Sequence, residues 1–257
     1  MNNQQQWIAF STIVRREIRR FMRIWPQTLV PPVITMALYF VIFGKLVGSR
    51  IGDMSSLPYI QFVAPGLIMM SVITNSYSNV VSSFFGSKFQ SNIEELLVSP
   101  TPNWIILVGY VVGGMSRGLG VGFIVTVLSL YFADFSLNSL PVTIGIVLMT
   151  SLMFSLAGLI NAIFASSFDD ISIIPTFVLT PLIYLGGVFY SIEMLSGFWQ
   201  TLSMFNPILY MVNAFRYGMV GITDINIMAS FAMVGLFSTI LFFFALWLLE
   251  NGSRLRN

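Results

Sequence analysis

The chain has 257 residues, 56% of them hydrophobic and only 9% charged, with a mean hydropathy of +0.85 and a net charge of +2. A soluble domain carries about a quarter charged residues, so this is the composition of an integral membrane protein. Cys and His are both absent, which excludes disulfides, thiolate zinc or iron–sulfur sites, His-ligated haem and a Ser-His-Asp triad.

The first 25 residues read as an amphipathic helix lying in the membrane interface. Trp7, Phe10, Val14, Ile18, Phe21 and Trp25 recur at intervals of three or four, and Arg15, Arg16, Arg19, Arg20 and Arg23 fill the rest of the circumference. Trp25-Pro26 ends the helix. A full-length apolar span follows the arginines instead of a short region with a small-residue cleavage site, so the run is a topogenic anchor and not a cleaved signal. Charge concentrated in this way favours contact with anionic lipid head groups over nucleic acid.

Windows of about 20 apolar residues mark six spans, at 28–47, 59–81, 104–132, 140–164, 171–190 and 227–249. The expected fold is all-α: one domain of 257 residues with an interface helix at 1–25, a six-span bundle over 28–249 and a tail at 250–257. An even number of spans puts both termini on one side. The N-terminal arginines, Lys88, Arg254 and Arg256 share that side, against Lys45, Arg50 and Arg216 opposite, and the positive-inside rule makes it the cytoplasm.

Between spans two and three, residues 87–100 read as a short amphipathic helix. Phe89, Ile93, Leu96 and Leu97 share one face, Lys88, Gln90, Glu94 and Glu95 lie elsewhere, and Pro100 and Pro102 end it. Such a helix either caps the turn between spans or presents a surface to a partner. In the loop at 165–170, Asp169-Asp170 read first as a helix cap that favours the helix dipole, and second as a partner contact.

Arg117 sits within span three among Gly113, Gly114, Gly118, Gly120 and Gly122. A charge in hydrocarbon must face protein, a cavity or an interface. Two readings stand: a gate or phosphate-binding group on a substrate path, or a partner of carbonyls or acids between helices. The glycines indicate close helix packing. Asn75, Tyr77, Asn79, Asn161 and Tyr184 read first as interhelical hydrogen-bonding groups. Asn75, Tyr184 and Tyr190 join Arg117 as candidates to line a pathway. The sequence has no evident aromatic ladder beyond Phe84-Phe85, Tyr184 and Tyr190.

After span five come two apolar segments, 192–205 and 208–221, each reaching only about 21 Å against a hydrocarbon core of roughly 30 Å. They read as a re-entrant helical hairpin between spans five and six, broken at Asn206-Pro207 and closed by Arg216 near one membrane face. Broken segments at membrane depth need protein or a water-filled cavity around their free backbone groups, which points to transport.

Leu179, Leu182, Leu185-Gly186, Val188, Leu195-Ser196, Pro207-Ile208, Tyr210 and Arg216 fall at the spacings of the signature of ABC-2 type transporter permeases. The likeness runs through the chain, from Arg-Phe-Met-Arg-Ile-Trp at 20–25 and Phe-Asp-Asp-Ile-Ser at 168–172 to Phe-Arg-Tyr-Gly at 215–218. The resemblance implies a permease subunit of an ATP-driven exporter of amphiphiles, with Gly186, Pro207, Tyr210 and Arg216 as signature residues. It implies two copies of a separate ATPase subunit, which would bind the ATP and Mg, and a second permease copy, in a homodimer or a close heterodimer. It also makes the N-terminal helix, Glu94, Glu95, Leu96 and Leu97, and secondarily Asp169 and Asp170, the ATPase contacts. The chain has no G-x-x-x-x-G-K-[ST] phosphate loop, and no cofactor, metal or catalytic residue of its own is expected. The competing reading is an autonomous secondary transporter or channel, which would usually place acids or His within its spans. An intramembrane lipid enzyme would need a convergent constellation that Asp169-Asp170 alone do not supply.

Overall fold

The computed structural model describes residues 1–54 and 57–252 and is about 81% helical. Arg254 and Arg256, counted above for topology, lie outside the described residues. The order is α1 (Asn3–Arg23), α2 (Trp25–Ile51), a ribbon of Asp53–Met54 against Leu57–Pro58, α3 (Tyr59–Phe89), α4 (Asn92–Val98) and α5 (Asn103–Ser129). There follow α6 (Leu140–Phe164), α7 (Asp170–Tyr184), α8 (Gly197–Met204), α9 (Pro207–Val220) and α10 (Ile227–Asn251).

Four of these helices, α2, α5, α6 and α10, are long and apolar enough to cross a membrane. Helix α3 is longer still at 31 residues, about 46 Å, but more polar, because it forms the centre of the bundle. It packs against α2, α5, α6 and α9, burying Ser71, Asn75, Ser76 and Asn79. A helix that meets protein on every side needs no uniformly apolar surface. Helix α7 is apolar but reaches only about 22 Å, ending where Gly187 takes φ +69°.

Several boundaries differ from expectation. Helix α3 runs on to Phe89 and stops where Ser91 takes a left-handed φ of +59°. Lys88, Phe89 and Gln90 therefore do not belong to the short helix α4, which starts only at Asn92. The chain breaks at Asn206-Pro207 as expected, but the two arms are unequal. The first opens with a single 3-10 turn at Ile192–Met194 and becomes helical only at Gly197, with Phe198, Trp199 and Phe205 exposed. The second, α9, is buried through most of its length.

The core has two layers. One, at the arginine-bearing end, gathers Phe84, Ile105, Tyr110 and Leu159 around α3, α5 and α6. The other gathers Phe62, Leu67, Ile208 and Met211 around α3 and α9.

Candidate functional site

Helix α1 lies along the first half of α5 because two glycines remove the side chains that would hold it off. A Cβ at Gly109 would come within 2.6 Å of Ile13, and one at Gly113 within 2.5 Å of the Cβ of Glu17. The seated face is thus Ile13, Glu17 and Phe21, which shares only Phe21 with the stripe from Trp7 to Trp25. Both tryptophans are exposed, and Phe10, Val14 and Ile18 are half-buried on an adjoining face. Glu17, which the sequence reading passed over, is 1% exposed and lies 3.4 Å from both Arg16 Nη2 and Arg20 Nε. A buried carboxylate is tolerable only with such partners.

Those two arginines also fix α1 to the bundle. Arg16 Nη2 donates to Tyr110 Oη at 2.6 Å, Tyr110 in turn donates to Ser87 Oγ, and Arg20 Nη2 donates to Asn79 Oδ1 at 2.8 Å. Arg15, Arg19 and Arg23 are exposed and make no ion pair or hydrogen bond among the described residues.

Helix α4 stands at the same end. Ile93 is buried and Leu96 and Leu97 are half-buried against the core, leaving Glu94, Glu95 and Val98 outward. The acidic pair falls in the first turn of α4, where the helix dipole favours negative charge. Phe89 instead packs on Phe168 with ring centroids 5.0 Å apart, and Phe85 meets Phe168 at the same distance. This joins the 165–170 loop to the end of α3. Lys88 Nζ donates to the carbonyls of Ile163 and Ala165, both at 2.8 Å, capping the end of α6.

Asp170 takes part in a reciprocal cap. Its Oδ2 accepts from the amides of Ser166 at 2.8 Å and Ser167 at 3.0 Å, and its own amide donates to Ser167 Oγ. The Ser166 amide, followed by Ser167, holds its carboxyl below the ordinary value of 3.8. Asp169 is exposed beside it.

The pathway candidates fall into two pairs. Arg117 Nη2 donates to Asn75 Oδ1 and to the carbonyl of Thr28, each at 3.2 Å, tying α5 to α3 and α2. Gly114, Gly118 and Gly122 let α3 approach: a Cβ at Gly118 would overlap Ser76. Elsewhere, Tyr190 Oη donates to the carbonyl of Tyr184 at 2.9 Å. Tyr184 stacks on Phe189, which also meets Phe43 and Tyr39. An aromatic cluster therefore exists where the sequence offered no ladder. It is assembled from residues almost 150 positions apart, which no linear pattern reveals.

The signature residues converge on one clasp. Arg216 is 1% exposed on α9 inside the protein, and not in a loop as expected. Its Nε donates to the carbonyl of Phe62 at 3.1 Å, its Nη2 to that of Gly187 at 2.6 Å, and its guanidinium lies 3.8 Å from the centroid of the Phe62 ring. Asn206 Oδ1 caps α9 through the amide of Ile208, and its Nδ2 donates to the carbonyl of Leu182 at 2.6 Å. A Cβ at Gly186 would reach within 2.6 Å of Ile208. Tyr210 Oη donates to the carbonyl of Met204, bridging the break at Pro207. The free carbonyls of an interrupted backbone are thus met by side chains, as burial in protein demands.

The family model described as ABC-2 type transporter matches residues 8–220, from within α1 to the end of α9. The chain belongs to the ABC-2 type transporter family. It is 57% identical over 252 residues to the inner membrane transport permease YadH of Escherichia coli (strain K12), covering 98% of both chains. It is 21% identical over 246 residues to nodulation protein J of Neorhizobium galegae, covering 95% of this chain and 93% of that one. Over 198 residues it is 26% identical to nodulation protein J of Rhizobium leguminosarum bv. viciae, covering 75% and 73%. The membership makes this chain a transport component and not an enzyme. Within this ABC-2 chain, Gly187, Phe62 and Asn206 share the clasp, yet sequence reasoning gave only Asn206 a role, as a break. Gly187 acts through its backbone carbonyl, which leaves no trace in residue type, and Phe62 through both its carbonyl and its ring, on a segment about 150 positions from Arg216.

Proposed function

We propose that the chain is the membrane-spanning permease subunit of an ATP-driven exporter in the bacterial inner membrane, and that α4 is its principal docking element for a separate ATPase. The observation that carries this reading is the outward acidic pair Glu94 and Glu95 on a short helix whose other face is anchored in the core. Family membership and the transport permease name of a relative 57% identical support it. The exposed arginines of α1 and Asp169 stand at the same end of the molecule and add to the docking surface.

In this reading two permeases pair with two ATPases, which bind the ATP and Mg. The arginine-bearing end and both termini face the cytoplasm. Helix α3 and the segment 171–190, in which the non-helical chain after Tyr184 carries α7 the rest of the way, complete six spans, with α8 and α9 as a re-entrant hairpin held by the Arg216 clasp. Closure of the ATPases pushes α4. Because Ile93, Leu96 and Leu97 root α4 in the same layer as α3 and α5, the push moves the bundle as a body and does not bend a loop. The substrate is an amphiphile. A groove of about 370 Å³ between α3, α5, α6 and α9, lined by Ile68, Phe123, Ile144 and Phe215, is within the size range of small-molecule sites and suits an apolar chain.

The test is co-purification of the tagged chain with its candidate ATPase, comparing wild type with Glu94→Arg/Glu95→Arg. A complex of two permeases and two ATPases that the charge reversals weaken is the expected result. A chain that purifies alone and transports without ATP would overturn the reading in favour of a secondary transporter.

A further inference from the structure

Between α1 and the last two turns of α3 runs an open groove of about 1340 Å³. One wall carries Arg15, Arg16, Arg19, Arg20 and Arg23, and Glu17 is the only acid among the described residues that line the groove. Arg16 and Arg20 already meet that carboxylate, whereas Arg15, Arg19 and Arg23 repeat every four residues along α1 and have no acidic partner among the described residues. The opposite wall offers hydroxyls and amides, from Ser82, Ser83, Ser87, Gln90 and Asn92, and no carboxylate. Several guanidinium groups with no carboxylate of their own form a receptor for a phosphate, whose oxygens accept their paired N–H groups.

Two further features set the kind of phosphate. A second groove of about 490 Å³ follows Trp7, Phe10, Val14 and Ile18 and shares Arg15 and Arg19 with the first, so an apolar track leads directly from the cationic wall. Trp7 near the start of α1 and Trp25 at the start of α2 stand exposed, as residues at the polar–apolar boundary of a bilayer do. The floor is open as well: a Cβ on Gly86 would meet nothing within 4 Å.

We propose that this groove binds the phosphate head of an anionic amphiphile, with the guanidinium groups of Arg15, Arg19 and Arg23 on the phosphate and the amphiphile's apolar part along Trp7, Phe10, Val14 and Ile18. The phosphate belongs either to a bilayer phospholipid or to the transported molecule. Binding there needs no ATPase and the docking reading rests on α4, so failure of this proposal leaves that reading intact; Gly86→Glu, which keeps Arg15, Arg19 and Arg23 in place, separates phosphate binding from their part in docking.

The decisive variant is Gly86→Glu, which fills open space with a carboxylate facing the arginines and so occupies the site from within. The full chain is placed in nanodiscs of phosphatidylcholine with a minor fraction of phosphatidylglycerol, and the lipid retained on purification is measured by mass spectrometry. Wild type is expected to enrich phosphatidylglycerol. Gly86→Glu, and independently Arg15→Gln/Arg19→Gln/Arg23→Gln, are expected to reduce that enrichment about tenfold. Lys45→Gln/Arg50→Gln at the other end should leave it unchanged. In a second arm, inorganic pyrophosphate is added to delipidated chain in detergent. A rise in unfolding temperature for wild type but not for Gly86→Glu, without phosphatidylglycerol enrichment, assigns the phosphate to the transported molecule. Equal retention by wild type and both variants, with no pyrophosphate response, overturns the proposal.

Discussion

Gly113 and Gly120 lie two turns apart on α5, and the same substitution at each is expected to move stability in opposite directions. A Cβ at Gly120 meets nothing within 4 Å, so Gly120→Ala keeps only the helix-propensity gain of up to about 1 kcal/mol. A Cβ at Gly113 would lie 2.5 Å from Glu17 Cβ and 2.9 Å from Cγ. The methyl group cannot be absorbed by a flexible tip, because Glu17 Cβ is fixed to the backbone of α1. Helix α1 must lift, and overpacking of this kind costs about 1–3 kcal/mol. Lifting also draws the buried carboxylate away from Arg16 and Arg20. Net of the propensity gain, Gly113→Ala should lose up to about 2 kcal/mol, and because that gain is common to both variants they should lie about 1–3 kcal/mol apart. Equilibrium unfolding in mixed dodecyl maltoside and dodecyl sulfate micelles, followed by circular dichroism, measures the difference. Limited trypsin digestion at Arg15 and Arg19 reports separately on α1. Equal shifts for the two alanines, or a stabilised Gly113→Ala, would refute the seating of α1 on the glycine face.

Arg216→Lys keeps the charge but loses the fork that spans the carbonyls of Phe62 and Gly187; a loss of about 2–4 kcal/mol in the same unfolding assay is expected, and a wild-type midpoint would contradict the clasp. Asn206→Ala removes both the cap on Ile208 and the bond to Leu182, for about 1–2 kcal/mol, whereas Asn206→Asp should recover the cap alone and fall between the two. For Asp170 the folded carboxyl lies below 3.8, so its contribution is complete above the unfolded value and disappears as pH falls through the folded one. Amide exchange at Ser166 and Ser167 should therefore lose protection only in strong acid beyond the intrinsic pH trend, and Asp170→Asn should abolish that change; identical profiles would exclude the cap.

Membrane character, the apolar windows, the break at Asn206-Pro207 and the amphipathic nature of α1 and α4 were legible because each is a local property of composition or periodicity. Close packing of the glycine run in α5 is legible and holds at Gly113, Gly114, Gly118 and Gly122 but not at Gly120, and its division into two faces is not legible. Gly109 and Gly113 receive α1, while Gly114, Gly118 and Gly122 receive α3, a distinction that depends on where two other helices lie. The face of α1 that seats on the bundle is hidden from the sequence for a related reason. A hydrophobic pattern marks what avoids water, and both lipid and protein satisfy that, so Trp7 and Ile13 cannot be told apart by period alone.

Sequence by itself determined that the chain lives in a bilayer, which segments are helical and which end carries the positive charge, since these follow from summed transfer energies and local backbone preferences. Only the tertiary structure decided the partners. Glu17 is buried because two arginines and a glycine surround it, and Arg216 is interior because two backbone carbonyls from distant segments lie within its reach. Whether a charge sits in a loop or in the core depends on the groups that satisfy it, and those are brought together by packing between helices far apart in the chain.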